Sequence, residues 1–325
     1  MQPTLRAAVE KYLIDPSLGW SGSAEAWQPL AFVDLDACED IAQWDSLPPF
    51  PVIGFGERRH RLASTLDAVL ESPIDAETLI KQVERAPRAA AVTVQLLRTS
   101  ERLSLEHALA MESLAYGLLQ GSEEYAAWLM GRRPSPDPEG RVIVERQDAT
   151  LHIVLDRPHA RNAINRVIRD QLCEAFTLAS LDPEIRSVKL RSVGEAFSAG
   201  GDLEEFGTTT DPATAHLIRA RTLPALALAR RREILDVHIQ GAAIGAGVEI
   251  SAFAGRVTAA PTAWFQLPEL AMGLLPGAGG CVSVPRRIGR QRAALMMLSG
   301  QRIDAQTALR WRLIDAIEDQ PPVTV

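Results

Sequence analysis

Only three cysteines occur in the 325 residues, Cys38, Cys173 and Cys281, far apart and without a Cys-x-x-Cys pair. Their scarcity excludes a disulfide framework and a thiolate zinc site, and makes a reducing cytoplasm the expected location. The six histidines, His60, His107, His152, His159, His216 and His238, lack metal-ligand spacing, so no metal is expected. His238, close before a glycine-rich loop, is the one of note. No apolar run reaches the roughly 18 residues of a membrane span, and the N-terminus lacks the basic-then-apolar order of an export signal. A membrane is therefore not an expected partner. Positive charge is not in excess either: 34 basic against 41 acidic residues give a net charge of −7, which argues against nucleic acid as a partner. No Gly-x-Ser-x-Gly elbow is present. Gly277-Ala-Gly-Gly280 lacks the Lys-Ser/Thr of a phosphate loop, and Ile250 stands where a dinucleotide fingerprint after Gly245 needs a small residue.

What remains is the composition of a globular enzyme, 46% apolar and 23% charged. The length fits one large or two modest domains, and two units are expected. Residues 1–60 hold two short apolar runs, Leu30–Val33 and Pro51–Gly54, with the character of strands. From Ser72 the apolar spacing turns helical, predicting three or four helices over 72–133. Arg133-Pro-Ser-Pro-Asp-Pro-Glu-Gly140 cannot continue a helix and reads as a linker. Beyond it, Val142–Glu145 and Leu151–Leu155 read as a hairpin, Asn165–Leu181 as a helix and Ser187–Val193 as a strand. The alternation signals an α/β unit. The expected organisation is a mainly helical domain over 1–133, a linker over 134–140 and an α/β catalytic core over 141–325.

Two glutamates in that core, Glu249 and Glu269, each follow a turn-rich stretch: Gly241-Ala-Ala-Ile-Gly-Ala-Gly-Val-Glu249 and Phe265-Gln-Leu-Pro-Glu269. Two carboxylates facing one pocket imply proton transfer. Upstream, Ala196-Phe-Ser-Ala-Gly-Gly-Asp-Leu203 has small residues that let backbone N–H groups approach a ligand closely. Amides beside a carboxylate pair suggest an oxyanion hole. From Ala246 a helix is expected to run through Glu249 to Phe253, and Asp202 reads first as a cap for the turn after it.

Taken in order, these segments resemble the crotonase family, the enoyl-CoA hydratases and isomerases, over about residues 141–318. Leu155-Asp-Arg-Pro-His-Ala-Arg-Asn-Ala-Ile-Asn165 is similar to that family's first CoA-contacting loop, and 197–203 and 241–249 to its two oxyanion loops. Gln266–Glu269, Leu275–Gly280 and Leu298–Ala308 follow in family order. The resemblance implies a crotonase-like ββα spiral core and an acyl-CoA substrate. Coenzyme A would enter as part of the substrate, with no permanently bound cofactor. It makes the N–H groups of Gly201 and Ala246 the donors to the thioester oxygen. It makes Glu249 and Glu269 the pair that adds water to a 2-enoyl thioester, Glu249 as base and Glu269 as acid. It places Arg161, Ala163, Ala199, Asp202 and Leu203 against CoA, and a homo-oligomer, trimer or hexamer, as the assembly.

The chain departs from the family by stopping soon after Leu313-Ile-Asp-Ala-Ile317, where relatives continue into lid helices. The helical stretch 76–134 resembles that missing segment, set in front of the core, and this would bring Trp128 and Arg132 near CoA. A helical region ahead of such a core also resembles the cofactor-independent dihydroxyphenylacetyl-CoA dioxygenase branch, against which Glu249 weighs. Retention of both glutamates tips the expectation toward an enoyl-CoA hydratase-like enzyme; the alternatives are an isomerase or lyase, the dioxygenase, and a non-catalytic partner subunit. The segment Gly207–Arg232, with Arg219, Arg221, Arg230, Arg231 and Arg232, is expected to shape the acyl pocket or to meet phosphates.

Overall fold

The computed structural model describes residues 3–16, 28–38, 44, 46–229 and 231–319; Arg230 lies outside them. Alternation in the strand Thr150–Asp156 turns Leu151, Ile153 and Leu155 to the interior. It pairs antiparallel with Arg141–Gln147, Arg141 opposite Asp156 and Gln147 opposite Thr150, as the hairpin pattern predicts. On its other side Ser187–Ser192, Leu235–Ile239, Arg256–Ala259 and Ala316–Ile317 follow in parallel, completing a six-stranded sheet among the described residues. The helix Arg166–Leu181 covers it with Ile168, Leu172 and Phe176. Asn165, read as helical, is its cap: the side chain accepts the Ile168 N–H.

A second sheet positions the chemistry. Trp264–Gln266 runs parallel to Ala242–Ile244 and antiparallel to Ile303–Asp304. Gln266 sits opposite Ile244, so the chain leaving one strand toward Glu249 and the chain leaving the other toward Glu269 start side by side. The helix after Ala242–Ile244 spans Ala246–Ser251, two residues shorter than expected. It stops there because Phe253 and Ala254 bond back three residues rather than four, to Ile250 and Ser251.

Before residue 134 lie the helices Ala76–Arg85, Pro87–Ser100, Leu105–Gln120 and Glu123–Leu129. Asp75, Ser104 and Ser122 cap three of them by accepting the N–H groups of Thr78, His107 and Tyr125. The two early apolar runs form strands, Ala31–Asp34 and Val52–Phe55, each starting one residue later than read, in a parallel sheet with Ala68–Val69. These helices pack on Gly280–Ile288 and Arg290–Ser299. One apolar cluster joins Leu79, Val83, Val94 and Leu97 to Val284, Leu295, Met296 and Leu298. Burying such side chains is worth about 1.5–3 kcal/mol each, so the two halves of the chain stabilise one another.

Candidate active site

The loop 157–165 is fixed from within. Arg157, 2% exposed, donates to Asp202 (2.7 Å), Asp137 (3.1 Å) and the Ala163 carbonyl (3.1 Å). Asn162, at φ +54°, donates to the carbonyls of Val193 and Ala196. The loop then lies edge to edge with 199–202: Ala199 N–H donates to Arg161 O, Ile164 N–H to Gly200 O and Asp202 N–H to Ile164 O. Ser198 in turn bridges to Ala243. Three backbone segments thus run together, and glycine makes their approach possible. Gly200, at φ +89°, has no room for a side chain, since a Cβ would sit 2.7 Å from Ile244 O. Gly201 N–H has no protein acceptor among the described residues, and Ala246 opens its helix, where an N–H has no intrahelical partner. Both residues line one cavity of about 650 Å³.

Glu249 and Glu269 line the same cavity, in contrasting surroundings. Glu249 is 2% exposed, and its Oε2 accepts the N–H groups of Ala278 (2.7 Å) and Gly280 (2.8 Å). Burial pushes its proton affinity up to about 7, and the two amides oppose that rise. Glu269 has a buried Oε2 with no protein hydrogen-bond partner. Burial, then the nearby Glu249, raises its pKa well above the usual carboxylate value. One carboxylate is held by two amides of another loop that favour its charge, while the other has only its own backbone N–H and keeps Oε2 unpaired.

Sequence reasoning missed a third carboxylate. Glu112, 1% exposed, accepts the N–H groups of Gly279 (2.7 Å) and Cys281 (2.8 Å). The same helix, Leu105–Gln120, adds Tyr116 and Gln120 to the cavity wall. The available signal was Glu112 on the buried stripe of that helix, with Ala108, Leu109 and Ser113, where an acid is rarely found without partners.

Of the residues expected against CoA, Asp202 lines the cavity; its carboxylate accepts from Arg157 and from Glu204 N–H, so it is also the cap that was read. Arg161 is exposed, at φ +52°, on the loop beside Ala199. Ala163, Ala199 and Leu203 flank the cavity-lining positions Ile164, Gly201 and Asp202. Trp128 stands one ring behind the wall, with Phe206 edge-on at 5.7 Å and Arg132 over its ring at 4.1 Å. From the arginine-rich segment, Arg219 and Arg221 reach the cavity. Arg231 instead bonds the carbonyls of Ala179, Asp182 and Ile185. His238 is buried against Thr258 and does not line the cavity. Among the described residues one group of possible metal ligands converges, Asp137, Glu139 and His159, where the guanidinium of Arg157 already pairs with Asp137.

Residues 145–323, more than half of the chain, match the family model described as enoyl-CoA hydratase/isomerase. The chain is similar to the 2,3-dehydroadipyl-CoA hydratase of Escherichia coli K12, 35% identical over 176 residues, 54% of this chain and 68% of that protein. It is similar as well to the mevalonyl-coenzyme A hydratase SIDH of Beauveria bassiana, 30% identical over 53% of this chain and 64% of that one. The crystal structure of an enoyl-CoA hydratase/isomerase from Marinobacter aquaeolei superposes with a TM-score of 0.51 at 29% identity, covering 55% of this chain and 70% of that one. The C-terminal part therefore has a mixed α/β crotonase-like fold, and the chain belongs to the enoyl-CoA hydratase/isomerase family.

Proposed function

We propose that the protein adds water across the 2,3 double bond of a 2-enoyl-CoA thioester. The observation that carries this reading is the unlike pair: Glu249 with two amides on one oxygen, and Glu269 with a buried oxygen left unpaired, on one cavity. Two titratable groups whose environments push them apart are suited to base and acid. In this mechanism Glu249 removes a proton from water, whose oxygen bonds to C3. The electrons of the double bond move onto the thioester oxygen, which the N–H groups of Gly201 and Ala246 receive; each such donor is worth about 3–4 kcal/mol of barrier. Glu269 then gives its proton to C2, and exchange with solvent resets both carboxyls.

Coenzyme A is part of the substrate in this reading, with no resident cofactor. The helices before residue 134 act as a cover for the site, with Tyr116, Gln120 and Tyr125 on the cavity wall. A cytoplasmic homo-oligomer completes the proposal; among the described residues, no helix is long and apolar enough to cross a membrane. The test is Glu249→Gln and Glu269→Gln, assayed separately on crotonyl-CoA and aromatic enoyl-CoAs. Hydration requires both variants to lose about 10²-fold or more. Loss in one alone points to an isomerase or lyase, and oxygen uptake by the wild type points to a dioxygenase.

A further inference from the structure

Arg219, in the helix Pro212–Thr222, faces the cavity without a carboxylate partner among the described residues. Arg157, Arg98, Arg287 and Arg290, which are also largely withdrawn from solvent, each pair with an Asp or Glu, and Arg231 turns away from the cavity to three backbone carbonyls. Glu112, the acid next to Arg219's partner Ser113, spends both oxygens on the amides of Gly279 and Cys281. The guanidinium is nonetheless held rigidly. Its Nε donates to Ser113 Oγ (3.1 Å), Nη2 to the Ser113 carbonyl (3.0 Å) and Nη1 to Gln120 Oε1 (2.9 Å), and it stacks on Tyr116 at 4.5 Å. Three of the five N–H groups of an arginine are thereby engaged, leaving one on each Nη, a pair suited to the two oxygens of a carboxylate.

Position decides which anion this fork meets. The Tyr116 ring packs against Gly277, which begins the loop whose next amides hold Glu249, so one ring separates Arg219 from the reacting carboxylates. A thioester seated between Gly201, Ala246 and these glutamates with its acyl chain toward Tyr116 would bring that chain, and not the CoA phosphates at the other end of the pantetheine arm, to the guanidinium. Tyr116's hydroxyl, kept protonated by burial, has no hydrogen-bond partner among the described residues. An unpaired, desolvated cation is costly, and a ligand carboxylate would offset that cost.

We propose that Arg219 is the counter-ion for a carboxylate at the far end of the acyl chain, so that the site takes CoA mono-thioesters of short dicarboxylic acids. This rests on the acyl-CoA reading above but needs no turnover. The test is calorimetric titration of the full-length protein and of Arg219→Gln with saturated pairs: glutaryl- against valeryl-CoA, adipyl- against hexanoyl-CoA, and pimelyl- against heptanoyl-CoA, with free CoA alongside. Wild type should bind at least one dicarboxylic thioester ten-fold or more tighter than its alkyl partner. Arg219→Gln should lose that gap, with the loss confined to the dicarboxylic thioesters. Arg219→Lys, which keeps the charge but not the fork, should narrow it. No gap in the wild type, a gap that survives in Arg219→Gln, or an equal weakening of free CoA would each overturn the proposal. If Arg219→Gln does not fold, the wild-type gap and its narrowing in Arg219→Lys decide. Because these ligands have no double bond, the result stands apart from whether the enzyme hydrates anything.

Discussion

Glu112 and Glu249 share one turn of backbone: the four successive N–H groups of residues 278–281 alternate between them, Glu249 taking Ala278 and Gly280, Glu112 taking Gly279 and Cys281. These amides lead into the helix Gly280–Ile288, whose first N–H groups need outside acceptors. Acceptors from two distant parts of the chain thus fix one loop and the orientation of Glu249 with it.

Glu112→Ala strands two interior amides, so stability should fall by about 1–3 kcal/mol for each, read by urea denaturation. Glu112→Gln keeps one acceptor oxygen for the loop and replaces an acid whose proton affinity is held up by burial and by the nearby Glu249. The acidic limb of the kcat/KM profile, set by Glu249, should therefore stay in place while stability falls less than in Glu112→Ala. A limb that moves to lower pH would show that Glu112 carries charge beside Glu249.

Stability should fall as pH rises. The folded-state pKa of Glu249 is raised, from 4.5 to about 7, and those of Glu112 and Glu269 are raised too. For such groups the native state binds more protons than the unfolded chain. Their contribution is fully present below the unfolded value and is lost through the folded one. The melting temperature should therefore decline between pH 4.5 and 7. Glu249→Gln should flatten that decline, and an identical slope in the variant would remove Glu249 as its source.

Ala246→Pro isolates one oxyanion donor. Ala246 is the first residue of its helix, a position where proline fits because the N–H has no helical partner. Folding should be preserved by circular dichroism, while kcat falls about 10²–10³-fold. A folded variant with normal kcat would take the Ala246 amide out of the mechanism.

Deleting residues 1–133 should leave an insoluble core. It would expose the apolar faces of Gly280–Ile288 and Arg290–Ser299 and remove Glu112 from its two amides. A soluble, active 141–325 fragment would show that the N-terminal helices do not serve as a lid.

The hairpin at 141–156, the helix capped by Asn165 and the loops at 197–203, 241–249 and 265–269 were legible in the sequence because local turn chemistry and small residues define them. The joint presence of Gly201, Ala246, Glu249 and Glu269 on one cavity follows from their family order. Glu112, Tyr116 and the free fork of Arg219 were not legible. Their roles arise where Leu105–Gln120 meets Pro212–Thr222 and Gly280–Ile288, and helical spacing shows which residues are buried, not what they meet.

Water as the source of the new oxygen is the point on which everything else turns. Incubating the enzyme with a 2-enoyl-CoA under air in isotopically labelled water, and weighing the product by mass spectrometry, tests it directly. The expected product is a 3-hydroxyacyl-CoA carrying one labelled oxygen, with one solvent-derived hydrogen at C2. A product whose new oxygen comes unlabelled from air, or an isomer with no added oxygen, would contradict the account.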